Sequence, residues 1–157
     1  MHATRNDVPE KVRQLVASGL NQLLADVADL TMQAKQAHWT VKGPNFIALH
    51  KLFDEVYEHA SEWTDEIAER VAQLGGQPQG TLQAAARNTR LDAYPLDLVA
   101  ERAHVERLAH SLAKFGSFAR AAIDDFAKHG DADSADLCTT LSREVDKDLW
   151  FVESHLG

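Results

Sequence analysis

From Phe46 to Leu74 the apolar residues Leu49, Phe53, Val56, Ala60, Trp63, Ile67, Val71 and Leu74 recur at steps of three or four, without a proline or glycine between them. Such a stripe fits one long amphipathic helix and no strand, whose side chains repeat every two residues. A helix with one apolar face needs partners to cover it. Nowhere else does the chain alternate with period two over a strand length, so the class is all-α. At 157 residues with 45% hydrophobic content, it holds enough apolar surface for one core.

The remaining helices read from the same periodicity. Val12, Leu15, Val16, Leu23, Val27 and Leu30 mark a first helix over Val8–Ala37, with Pro9 in its first turn. Lys42-Gly43-Pro44-Asn45 breaks the chain before the long second helix, and Gly75-Gly76-Gln77-Pro78 ends that helix. Between Gly80 and Tyr94, TLQAAARNTRLDA is too helix-prone for pure loop and too short to span a bundle, so a short helix is expected there. A third long helix is expected to open at Tyr94-Pro95 and carry Leu96, Val99, Ala103, Leu108, Leu112, Phe115, Ala119, Ala122 and Phe126 to a stop at Gly130. Asp131 or Asp133 can cap the last helix, which buries Leu137, Leu141, Val145, Leu149 and Val152. Two long helices, a long connection with a small helix, and two more long helices give a four-helix bundle with one crossover. The whole of 1–157 is read as one domain, with residues 1–7 a short polar tail.

Opposite the apolar stripe of the second helix lie His50, Asp54, Asp65 and Glu69, within about a quarter-turn at 100° per residue. Each half of this set is spaced by one turn, so each can aim two ligand atoms at one ion. Eleven positions separate Asp54 from Asp65, roughly 16 Å of helix, too far for one ion to bridge. The pairs 54/65 and 50/69 share one midpoint, at 59.5. A twofold axis there would set His50 against the partner's Glu69 and Asp54 against its Asp65. Imidazole with carboxylate oxygen suits Fe(II), with Zn(II) and Mn(II) as competitors.

Net charge is −8, which disfavours a general nucleic-acid surface and draws cations. A single cysteine, Cys138, excludes an internal disulfide and a cysteine-rich zinc module, and its expected place is a helix core. The start of the chain has no apolar signal region and no run reaches membrane-spanning length, so the expected location is the cytoplasm.

The run HWTVKGPNFIALHKLFDEVYEHASEWTDEIAE strongly resembles the Dps family, the mini-ferritins known as DNA-binding proteins from starved cells. The likeness extends over essentially the whole chain and implies a ferritin-like fold. It also implies a ferroxidase site at a twofold interface: His38, His50 and Asp54 from one subunit, Asp65 and Glu69 from its neighbour. Trp39 and Trp63 would lie nearby, where the family's tryptophans intercept oxidising equivalents. The resemblance further implies a dodecameric shell that oxidises Fe(II), typically with peroxide, and stores Fe(III). The rival expectations are a DNA-compacting, nucleoid-associated protein and a structural helical assembly without chemistry. Residues 1–13 carry three cations against two anions and no basic extension follows Gly157, so DNA binding is expected to be weak.

Overall fold

The computed structural model describes residues 1–157 and contains five helices: α1 (Glu10–Thr40), α2 (Phe46–Gln73), α3 (Leu82–Asn88), α4 (Glu101–His129) and α5 (Ala132–Glu153). The four long ones form the bundle. α1 and α2 are joined by only the turn Val41–Asn45, so they run antiparallel. Gly130 closes α4 in the left-handed conformation, at φ 84°, and α5 begins two residues later. Of the two caps proposed for α5, Asp131 serves: its carboxylate accepts from the Ser134 amide at 3.1 Å.

Lys42 forms an isolated parallel bridge with Ala100. The start of α4 therefore lies beside the start of α2, and the connection between them must return the full length of the bundle. This is the expected crossover, with α3 packed against α1. Buried Leu20, Leu24, Leu30, Phe53, Trp63, Ile67, Leu108, Phe115, Phe126 and Leu141 belong to one continuous core. Cys138 is wholly buried within it, and burial pushes its thiol up to about 12. No helix is long and apolar enough to cross a membrane.

Several sequence expectations fail. α4 begins at Glu101, not at Tyr94-Pro95, and Leu96 and Val99 are 80% and 64% exposed. The backbone at Ala100 is extended where it pairs with Lys42, which interrupts any helix running from Pro95. Tyr94 is instead held by its hydroxyl on Nδ1 of buried His104, at 2.7 Å. In α1 the helix runs three residues past Ala37, and Leu15 is exposed while Arg13 is buried. Arg13 donates to the Leu74 carbonyl at 2.9 Å and to the Val8 carbonyl at 2.9 Å, so a cation fills the position by satisfying the otherwise orphaned end of α2. Leu137 and Leu149 are only partly covered, and Trp150 is exposed.

Candidate metal centre

The continuation of α1 to Thr40 decides the geometry of the site. It keeps His38 helical in the last turn of α1, where it faces the first turns of α2 across the short hairpin. His38 Nδ1 donates to the His50 carbonyl at 2.7 Å, and His50 Nδ1 donates to the His38 carbonyl at 2.8 Å. Because a carbonyl only accepts, each Nδ1 carries a proton, which leaves Nε2 as the ring nitrogen available to a metal. The imidazoles stack with centroids 3.7 Å apart and planes 22° from parallel. A histidine that donates one ring nitrogen to a carbonyl while its other nitrogen stays free is the arrangement found in metal-ligating histidines.

Asp54, one turn beyond His50, places Oδ1 3.8 Å from His38 Nδ1. Its nearer partner is Lys35, whose ammonium sits 2.5 Å from the same oxygen and 4.2 Å from the centre of the Tyr57 ring. The hydrogen bond from Lys35, helped by the nearby His38 and His50, holds the Asp54 carboxyl below its usual range against the opposing effect of desolvation. Asp54 is therefore an ionised acceptor at neutral pH. A cation arriving at Oδ1 competes with the Lys35 ammonium.

Asp65 and Glu69 lie farther along α2 on its exposed side. Within one chain, no three His, Cys, Asp or Glu side chains converge on a common point. His38 and His50 are stacked and Asp54 comes within 3.8 Å of His38 Nδ1, without the three meeting at one point, and Asp65 and Glu69 are not brought to them. The two tryptophans part company. Trp39 is 60% exposed at the end of α1, whereas Trp63 is buried on the core side of α2. Its indole stacks near Phe115 and donates to Glu144 at 2.6 Å, so Trp63 faces α5 and not the side of α2 that carries the carboxylates.

Sequence reasoning assigned no role to Lys35 or to the groove between α2 and α5. Lys35 lies one turn before His38 on the same face of α1, a spacing that could have flagged it. The groove holds His59, Glu62, Glu144, Lys147 and Asp148. There the buried Asp148 accepts from His59 Nδ1 at 3.0 Å, and Glu66 is pushed up by burial and by Glu144, Glu62 and Asp65. His59 and Asp148 are 89 positions apart in the chain, and no local spacing reveals their pairing.

The model of the ferritin-like domain matches residues 17–157. A DNA protection during starvation protein from Agrobacterium fabrum is 44% identical over 99% of this chain and 96% of its own length. The Dps structure from Mycobacterium smegmatis superposes with a TM-score of 0.93 at 32% identity, covering 99% of this chain and 94% of that one. A Dps protein from Vibrio cholerae, described as one of a broad superfamily of ferritin-like diiron-carboxylate proteins, shares the fold with a TM-score of 0.92 at 24% identity over 100% and 98% of the two chains. A bundle with this crossover, matched along nearly its whole length by such relatives, belongs to the Dps family of ferritin-like proteins.

Proposed function

We propose that this protein takes up Fe(II), oxidises it at sites shared between two subunits, and stores the product as Fe(III) inside a dodecameric shell. The observation that carries the reading is the locked pair His38 and His50, each holding the other through Nδ1, with the ionised Asp54 3.8 Å from His38 Nδ1. That trio would supply half of a coordination sphere. Asp65 and Glu69 of a second copy, related by a twofold near residue 59.5, would supply the hard oxygen half. Each residue has a distinct role. The imidazoles favour Fe(II) over Mg(II) or Ca(II), while the carboxylates favour the more highly charged Fe(III) and so lower the cost of electron loss.

The oxidant proposed is hydrogen peroxide, with dioxygen a slower substitute. Two ferrous ions give up one electron each, and the peroxide, with two protons, leaves as water. Removing both reactants together would protect the cell from the radicals they otherwise form. The net charge of −8 per chain supports inward attraction of the cation. Anaerobic titration with Fe(II), followed by a peroxide pulse, should show saturable binding and then prompt Fe(III) absorbance. Absence of binding in the anaerobic step would leave a purely structural assembly as the better reading.

The Agrobacterium relative is named for DNA protection, and direct DNA coating is the second reading. Charge argues against it here. The segment 1–13 carries a single excess positive charge, so few phosphate counterions can be released on contact. No mobility shift of duplex DNA is expected at neutral pH and ~0.15 M salt. A complex that survives those conditions would favour DNA coating.

A further inference from the structure

Three long helices, α1, α2 and α4, start without a side-chain cap, and the starts of α2 and α4 lie side by side. Asn45 occupies the N-cap position of α2, where its side chain would ordinarily accept from a first-turn amide, yet it makes no such bond. α4 follows Ala100, which has nothing to cap with. The two helix starts are instead clasped to each other. Glu101 accepts from the Asn45 side-chain amide at 2.7 Å through Oε1 and from the Asn45 backbone N–H at 3.1 Å through Oε2. Gly43 lets them meet, because a Cβ at that position would collide with the Glu101 carboxylate.

The clasp leads to the histidines by short steps. The Asn45 carbonyl accepts from the amides of Ala48 and Leu49, the residues just before His50. The ring of Phe46, the first residue of α2, lies 5.0 Å from the ring of His50. His50 and His38 then hold each other through their reciprocal carbonyl bonds. A diverted cap is a local rule broken, and such breaks are expected where a second requirement competes. Here the competing partner is Glu101 at the start of α4.

We propose that Glu101 is a positioning residue for the His38–His50 pair: through Asn45 it fixes the turn that aims both imidazoles. Its use in metal binding rests on the function proposed above, but the clasp itself can be read without a metal. The test uses Glu101→Ala and Glu101→Gln in the assembled protein, with two measurements. One is backbone hydrogen exchange across residues 44–50. The other is anaerobic affinity for Zn(II), a redox-inert probe, counted only for the component that His50→Ala abolishes.

Glu101→Ala should raise exchange in 44–50 while leaving α5 protected, and should weaken that Zn(II) component about tenfold, the usual effect of losing an outer-shell partner. Glu101→Gln keeps an acceptor oxygen for Asn45 and should recover most of both. Faster exchange in 44–50 of Glu101→Ala, in a wild type that binds no Zn(II), would uphold the clasp and overturn only the metal reading. Unchanged exchange in Glu101→Ala overturns the proposal, as does a Gln variant as impaired as the Ala variant in both measurements.

Discussion

His50→Ala and Asp65→Ala are each expected to abolish rapid Fe(II) oxidation while leaving assembly intact, and shells made by mixing the two should recover about a quarter of the wild-type sites. The recovery follows from the proposed twofold. In a mixed pair of subunits, both lesions fall in one site and the other site is complete. Half of randomly formed pairs are mixed, and each contributes one good site of two. Stopped-flow absorbance after a peroxide pulse, with subunit exchange verified by mass, measures the recovered fraction. An intrachain centre predicts no recovery at any mixing ratio, so inactive co-assembled shells would sink the shared site. Both substitutions are at side chains outside the core, which is why loss of activity without loss of fold is expected.

The largest effect on stability is expected from Arg90→Ala. Asp26 is fully buried in α1, and its carboxylate accepts from the Arg90 backbone at 2.7 Å and from the guanidinium at 3.1 and 2.6 Å. The same guanidinium lies 3.8 Å above the ring of Phe118. Removing it strands a buried negative charge with one backbone partner, a loss on the order of 3 kcal/mol. For a chain of this length, the unfolding midpoint should fall by about 10 °C at fixed protein concentration. Arg90→Lys should recover little, because an ammonium cannot offer the paired donors that the carboxylate accepts. A midpoint within about 2 °C of wild type in Arg90→Ala would show that the pair contributes little to holding the crossover on α1.

Much of the bundle was legible before any coordinates. The stripe from Leu49 to Leu74 predicts α2 nearly to the residue, since glycine and proline bound it on both sides and the 3.6 period is unmistakable over that length. The short α3 and the buried Cys138 follow from similarly local signals. The start of α4 did not. Pro95 reads as a helix start, but the extended pairing of Ala100 with Lys42 overrides that local preference. Leu15 also departs from its expected place while Arg13 is buried beside it: a cation can be buried when the carbonyls at a helix end need donors.

By itself the amino-acid sequence determined what can be reckoned along one helix: which face of α2 is apolar, that His50, Asp54, Asp65 and Glu69 share the other, and that Asp54 and Asp65 lie too far apart for one ion. Only tertiary structure decided what depends on two elements meeting. It set the stacking of His38 on His50, gave Asp54 to Lys35, turned Trp63 toward Glu144, and diverted the Asn45 side chain from capping α2 to Glu101. Periodicity fixes direction around a helix axis, whereas the pairing of side chains on different helices depends on the crossing and registry of whole elements, to which no spacing along the chain refers.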